Sequence, residues 1–268
     1  MKHYSIAEIQ CQLAARLNLS DLWKREMRVW GFRLTAPSLD RLVCLGLHRL
    51  RLMGKLEKQL FPQWIRAGMT VVDIGANQGL YALLFSQLVG ASGHVLAFEP
   101  EPDMFAALVH NCALNSAKNI ECIELALGAS AGIATLARSL VHAGDNRLAT
   151  VHGRKIIRSV NIQVAPLDEV IGERTVDFIK IDVQGWEWEV FRGMQRTLER
   201  NRDIQIYFEF WPQGLRNAGC NPAEMLADLR DRGFYLFEHV NGEERPVSDN
   251  NLASGWTGQR FTNIYARR

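Results

Sequence analysis

Two patterns of apolar and polar residues divide the chain near residue 60. Before that point, leucine and tryptophan recur at helical spacing among charged residues, and no alternation typical of a strand is visible. The pattern therefore predicts a helical extension over residues 1–60. This extension could be a lid over a substrate site, an oligomer contact, or simply helices packed on a main domain formed by residues 61–268.

From residue 69 onward, short apolar runs alternate with helical patterns. Seven runs are predicted to be buried strands: MTVVDIG, HVLAFEP, IECIELALG, VDFIKIDV, IQIYFEF, FYLFEHV and RFTNIYARR. Such alternation indicates an α/β fold with a mostly parallel sheet and helices on both faces. A polar loop rich in Asn, Gly and Ser separates the last two runs, so we expect antiparallel neighbours there. Two further strands are predicted inside the long irregular stretch 129–170.

Composition and charge exclude several classes of protein. The net charge of +2 over 268 residues gives no electrostatic case for binding nucleic acid or an anionic membrane. Five well-separated cysteines without a C-x-x-C pair favour reduced thiols over a disulfide frame or a zinc site. No signal peptide and no apolar run of about 20 residues is visible. We expect a cytoplasmic protein without a membrane span, which could form a homo-oligomer.

The first predicted strand leads into a glycine turn, in the segment TVVDIGANQG. Gly75 and Gly79 follow Asp73 without the tight G-x-G-x-x-G spacing of a dinucleotide site, which favours a nucleoside ligand without a pyrophosphate. Glu99 ends the second strand, 26 positions after Asp73, where a carboxylate can accept both ribose hydroxyl protons. These features together point to S-adenosylmethionine as the cofactor.

Carboxylates end two neighbouring predicted strands and are candidates for the chemistry. Asp182 could bind the cofactor ammonium, ligate a metal or accept a proton, or it could only cap the next helix. Glu209 lies in an apolar run, where an ionised carboxylate is costly unless it is paired. The two could bind Mg²⁺ or share a proton, which would raise one pKa. Lys180, inside the fourth strand, is expected to be buried or in a salt bridge.

Histidine and tryptophan side chains near the strand ends are further candidates. His239 and His142 could act as bases, although a polar histidine at the rim is the commoner explanation for His239. Trp211 lies two residues after Glu209 and is the preferred substrate contact, with Trp186 as a second, because flat aromatic faces suit sugar rings and polyketides. Core packing is the alternative for Trp186.

Three stretches resemble the FkbM-type family of S-adenosylmethionine-dependent methyltransferases: VVDIGANQGLYALLFS, FEPEP and VDFIKIDVQGWEWEVFRGM. The resemblance runs from about residue 55 to the C-terminus, and IKIDVQGWE is its most specific block. It implies a Rossmann-like class I fold with a seven-stranded, mostly parallel sheet whose last strand is antiparallel. It also implies O-methylation of a small-molecule or glycan acceptor, at a hydroxyl of a sugar, a glycolipid or a polyketide-type natural product.

The same resemblance assigns roles to residues of the cofactor site. It implies that Asp73, Gly75, Asn77 and Gly79 line the methionine end of the cofactor and that Glu99 binds its ribose.

One position departs from the family pattern, since Gln184 stands where an acidic residue is expected. Two other functions stay open, an N-methyltransferase acting on a small molecule and a non-catalytic cofactor-binding module. The intact set of cofactor residues disfavours the second of these.

Overall fold

The computed structural model describes residues 26–37, 45–50, 52–139, 147–148, 156–240, 242–248, 258 and 260–268. The strands are β1 (Met27–Val29), β2 (Phe32–Leu34), β3 (Thr70–Ile74), β4 (His94–Phe98), β5 (Ile120–Ile123), β6 (Ala126–Leu127), β7 (Gly132–Ser139), β8 (Arg147–Leu148), β9 (Ile156–Ala165), β10 (Phe178–Ile181), β11 (Gln205–Phe210), β12 (Tyr235–Val240), β13 (Glu243–Pro246) and β14 (Thr262–Arg267). The helices are α1 (Lys55–Trp64), α2 (Leu80–Val89), α3 (Pro102–Leu114), α4 (Leu167–Val170), α5 (Glu187–Arg192), α6 (Gln195–Arg200), α7 (Pro212–Asn217) and α8 (Pro222–Asp231).

Within the described ranges, the main sheet has eight strands in the order β13-β12-β14-β11-β10-β3-β4-β5. Neighbouring strands from β11 to β5 pair in parallel, whereas β14 runs antiparallel to both β11 and β12. The predicted α/β class and the antiparallel last strand are therefore confirmed. The predicted count of seven strands is short by one, because the edge strand β13 has the fully exposed sequence EERP and carries no apolar signal.

Successive strand residues face two different apolar layers, which explains the unbroken apolar runs in the sequence. On one face, Val72, Ile179 and Phe208 pack with residues of α5, α6 and α8. On the other face, Val71 and Tyr207 pack with residues of α1 and α2. Helices thus cover both faces of the sheet, as the alternating pattern predicted.

Aromatic contacts hold α1 on the sheet, so the end of the predicted extension is part of the main core. The ring of Trp64 stacks on Tyr265 with centroids 3.9 Å apart, and Phe61 meets Tyr207 edge to face at 5.1 Å. Phe61 also contacts Phe85 of α2 at 5.1 Å. Because α1 crosses residue 60, it brings extension residues against the main sheet.

A hairpin of β1 and β2 corrects the expectation that the extension contains no strand. Its turn uses Trp30 and Gly31, both with positive φ, and its strands are too short for their alternation to stand out in the sequence. Asn111 of α3 and Asn115, which follows α3, fix it to the domain: Asn111 Oδ1 accepts from the Thr35 N–H at 2.9 Å, and Asn115 Oδ1 from the Arg33 N–H at 2.9 Å. The helices predicted before residue 26 lie outside the described residues.

The stretch 129–170 contributes three strands of a second sheet, and β6 just before it contributes another, in the order β6-β9-β7-β8 among the described residues. Its long antiparallel pair, β7 and β9, corresponds to the two strands predicted there. In the described part of the chain, no helix has both the length and the apolar character that crossing a membrane requires.

Candidate active site

A cavity of about 420 Å³ lies at the C-terminal ends of the parallel strands. The loops after β3, β4 and β10 and the end of β11 form one part of its wall. Residues between 45 and 57 form a second part, and the second sheet contributes Leu136 and Ile162. Ligands of open α/β sheets bind at this edge, and the volume falls within the usual range of small-molecule sites.

The glycine turn after β3 has a backbone that few other sequences could adopt. Gly75 has φ 79°, and a Cβ there would overlap the carbonyl oxygen of Asp182, so only glycine lets the two loops approach this closely. Asn77 also has a positive φ, and its Oδ1 accepts from the Gln78 N–H at 2.9 Å. Gly75 and Asn77 line the cavity.

Two of the residues assigned to the methionine end do not reach the cavity wall. Gly79 caps the start of α2 with φ 89°, and a Cβ there would lie 2.7 Å from Leu108 Cδ1, so this glycine serves the contact between α2 and α3. Asp73 has no exposed surface and lies behind Lys180. Neither residue lines the cavity.

Glu99 lines the cavity with a carboxylate whose orientation is fixed by backbone groups. Its Oε2 accepts from the Asn77 N–H at 2.8 Å, and its Oε1 accepts from the Glu101 N–H at 3.0 Å. The glutamate is thus a carboxylate held in a fixed orientation on the cavity wall, which suits the ribose assignment.

A buried lysine connects two of the candidate carboxylates. Lys180 Nζ lies 3.4 Å from Asp73 Oδ1 and 3.6 Å from Asp182 Oδ2, as the expectation of a buried salt bridge requires. Burial alone would lower the pKa of Lys180, but the two carboxylates outweigh it and raise that pKa. The ammonium also lies 4.9 Å from the centre of the Tyr81 ring, and both side chains line the cavity.

Gln184 links the two carboxylates that the sequence placed at adjacent strand ends. Its Nε2 donates to Asp182 Oδ1 at 2.9 Å and to Glu209 Oε2 at 3.1 Å. Burial raises the pKa of Glu209 well above its usual range, and the charges of Asp182 and Glu187 add to that shift. An acid at position 184 would place another negative charge here, whereas the amide supplies donors to both oxygens.

Glu187 is a residue of this site that the sequence interpretation missed. It is fully buried, and its Oε1 accepts from the backbone N–H groups of Val183 at 3.2 Å and Gly185 at 3.1 Å. Burial raises its pKa to about 7. By binding both sides of Gln184, the carboxylate fixes the turn that presents the amide. Its place at the end of the block IKIDVQGWE, where a helix begins, was the feature of the sequence that could have indicated this role.

The metal and histidine candidates gain no support from the geometry. Among the described residues, no group of three or more His, Cys, Asp or Glu side chains is arranged to hold a metal ion. Asp182 and Glu209 face the Gln184 amide, so Mg²⁺ is not supported. His239 lies 5.5 Å from the Trp64 ring and 3.9 Å from Glu244, and it does not line the cavity.

The two tryptophan candidates lie in different places. Trp186 lines the cavity, as expected of a substrate contact. Trp211 does not: its ring packs against Gly214, its Nε1 donates to the Gly258 carbonyl at 2.7 Å, and only 4% of the residue is exposed. The turn into α7 directs this ring inward, which the sequence could not reveal. His142 lies outside the described residues.

Comparison with known proteins identifies the family. Residues 73–236 match the model of the methyltransferase FkbM domain. Methyltransferase sdnD of Sordaria araneosa is 27% identical over 231 residues, which cover 74% of this chain and 81% of that protein. Hexuronic acid methyltransferase AglP of Haloferax volcanii is 28% identical over 130 residues, which cover 47% of this chain and 50% of that protein.

Among solved structures, the chain is similar to a SAM-dependent methyltransferase from Aquifex aeolicus. That likeness has 17% identity and a TM-score of 0.47, and it covers 86% of this chain and 97% of the other. The FkbM match spans more than half of the 268 residues and includes the glycine turn, Glu99 and the Asp182–Glu209 pair. The chain therefore belongs to the FkbM methyltransferase family, and it is an S-adenosylmethionine-dependent methyltransferase.

Proposed function

We propose that this methyltransferase acts on a hydroxyl oxygen of a sugar, a glycolipid or a polyketide-type natural product. The observation that carries the proposal is the Glu209 carboxylate, which lines the cavity and has a pKa raised by burial. A hydroxyl becomes a good nucleophile only as its proton leaves, and a base with a pKa nearer neutrality accepts that proton best. The relative named for hexuronic acid supports a sugar among these classes.

The geometry of the wall supports a proposal for the cofactor residues. Glu99 would bind the ribose hydroxyls, the backbone around Gly75 and Asn77 would face the methionine end, and Asp182 would hold the ammonium. S-adenosylmethionine supplies a methyl group activated by its sulfonium charge. The remaining task of the protein is to bring an acceptor oxygen into line, which can supply a large part of the rate.

Glu209 would accept the proton of the acceptor hydroxyl while the oxygen of that hydroxyl takes the methyl group that the bound cofactor would supply, which breaks the bond from methyl to sulfur and leaves the cofactor as its thioether. Gln184 supports this role because its amide donates to Glu209 and fixes the carboxylate in the cavity. Lys180 and the buried Asp73 keep Asp182 in place next to this base. Segment 45–57, which contributes to the cavity wall, is proposed to restrict the access of water to the reacting atoms.

Transfer of a ¹³C-labelled methyl group tests the proposal directly. The protein is incubated with labelled S-adenosylmethionine and a panel of sugars, glycolipids, polyketides and amines, and NMR distinguishes oxygen-linked from nitrogen-linked methyl groups. We expect oxygen-linked product. Nitrogen-linked product would favour the N-methyltransferase alternative. Tight S-adenosylhomocysteine binding with no transfer to any acceptor would contradict the proposed catalytic function.

Glu99→Gln is expected to weaken S-adenosylhomocysteine binding by roughly 10- to 150-fold, about 1.5–3 kcal/mol for a hydrogen bond to a charged group. The amide replaces one acceptor oxygen by an NH₂ group. This group cannot accept a hydrogen bond from the backbone N–H or from the ribose hydroxyl. Isothermal titration calorimetry measures the change. Glu169→Gln, an exposed change on α4, serves as the control. Equal affinities for the two variants would refute the ribose assignment.

A further inference from the structure

A second polar cluster lies on the cavity wall beside the proposed base, and the methyl-transfer chemistry does not use it. Glu57 of α1 reaches two other elements of the domain through one oxygen. Its Oε1 accepts from the Tyr207 hydroxyl at 3.1 Å and from Asn263 Nδ2 at 3.0 Å. Glu57 and Asn263 both line the cavity. These bonds fix the carboxylate and leave Oε2 available to accept from a ligand.

Strand pairing places this cluster next to Glu209. In the antiparallel pair of β11 and β14, Glu209 is directly opposite Asn263. Residues opposite each other on one sheet face have Cβ atoms about 4.5–5.5 Å apart. A ring that presents one hydroxyl to Glu209 therefore lies within reach of Asn263 and Glu57 with a neighbouring hydroxyl.

The charge of the wall selects the kind of ligand. Glu57, Asp182 and Glu209 bring carboxylates to the same cavity, and Lys180 is engaged by Asp73 and Asp182. Hydroxyl groups can donate to these oxygens, while a carboxylate on the acceptor would be repelled by them. The wall is therefore complementary to a ring with several hydroxyls and no negative charge.

Both cluster residues lie outside the residues that match the family model. The FkbM match covers residues 73–236, whereas Glu57 precedes it and Asn263 follows it. The proposed cofactor residues Glu99 and Asp182 lie inside the match.

We propose that Glu57 and Asn263 form a specificity subsite that binds a second hydroxyl of a neutral, polyhydroxylated ring and so directs its neighbour to Glu209. This inference rests on the proposed O-methylation and narrows its acceptor to uncharged sugar-like rings, in contrast to the hexuronic acid in the name of one relative. Tyr207 is a positioning residue here, because its hydroxyl fixes Glu57 without lining the cavity.

Three probes with the same ring test the subsite in the full-length protein: methyl glucoside, methyl glucuronide and glucosamine. Binding is measured by saturation-transfer NMR with S-adenosylhomocysteine present, and transfer is measured with ¹³C-labelled S-adenosylmethionine. We expect methyl glucoside to bind at least ten-fold more tightly than methyl glucuronide. Glu57→Gln should reduce that preference at least ten-fold and raise KM for methyl glucoside more than it lowers kcat.

The controls separate a subsite from a general structural effect. Glu243→Gln changes an exposed carboxylate of β13 and should leave the preference intact. Tyr207→Phe should reproduce part of the Glu57→Gln effect, and all three variants should bind S-adenosylhomocysteine like the wild type. A loss of that affinity in Glu57→Gln would show a structural role and overturn the subsite.

The remaining outcomes distinguish this inference from the proposed function. Equal or tighter binding of methyl glucuronide, an unchanged preference in Glu57→Gln, or no binding of methyl glucoside overturns the subsite, whatever the methylated atom is. Methylation of the glucosamine nitrogen alone would instead overturn O-methylation, while the binding ratio of the first two probes would still decide the subsite.

Discussion

Glu209→Gln is expected to lower kcat for methyl transfer by about 10²- to 10⁴-fold, the range for loss of a general base. The amide has nearly the same shape as the carboxylate and can still accept from Gln184, but it cannot take the proton of the acceptor hydroxyl. S-adenosylhomocysteine affinity should stay at the wild-type value, because Glu209 has no assigned role in cofactor binding. Single-turnover transfer of a labelled methyl group and calorimetry measure the two quantities.

The pH dependence of the wild type gives an independent check on the same residue. Because burial raises the pKa of Glu209 well above its usual range, kcat/KM should rise with pH along a limb that lies well above pH 4.5. This limb should be absent from the residual activity of Glu209→Gln, while Glu169→Gln should keep it. Residual activity above one tenth of the wild type, with the limb retained, would contradict the assignment of Glu209 as the base.

The residues at the strand ends could be predicted from the sequence because local rules place them. Apolar runs mark the strands, and the parallel topology brings their carboxyl ends to one edge of the sheet. Glu99, Asp182 and Glu209 consequently line the same cavity. The same rules cannot specify the direction of a single side chain. They therefore did not predict that Asp73 is buried against Lys180 instead of lining the cavity.

Residues that depend on contacts distant in sequence could not be predicted. Glu57 meets Asn263 across 206 positions, and Asn111 fixes the hairpin across 76. No periodicity in the chain encodes such pairs. Trp211 was wrongly predicted because it is close in sequence to Glu209. Glu209 lines the cavity, yet the turn into α7 buries the tryptophan.

The reason for a glutamine at position 184 could also be found only from the structure. From the sequence, it is a missing acid in a family block. In the fold, it lies between Asp182 and Glu209, where a neutral donor serves both carboxylates. With buried Glu187 below the turn, a further acid would have raised the electrostatic cost of the site.

Replacement of Glu187 by glutamine is expected to stabilise the protein progressively as pH rises. The pKa of Glu187 is raised from 4.5 to about 7 in the folded state, chiefly by burial. Its favourable contribution is therefore complete below pH 4.5 and is lost as pH rises toward 7. A shift of this size corresponds to about 3 kcal/mol in the unfolding free energy at pH 8. The glutamine does not titrate and keeps an oxygen to accept from Val183 and Gly185.

Urea unfolding of the two proteins at several pH values between 4.5 and 8 measures this effect as a difference. The unfolding free energy of Glu187→Gln minus that of the wild type should increase by about 3 kcal/mol across the range, and Glu243→Gln should show no such trend. Removing this charge should also lower the pKa of Glu209, since Glu187 contributes to raising it, and so move the acid limb of kcat/KM to lower pH. A pH-independent stability difference with an unmoved limb would mean that Glu187 stays ionised throughout, with its charge compensated within the turn.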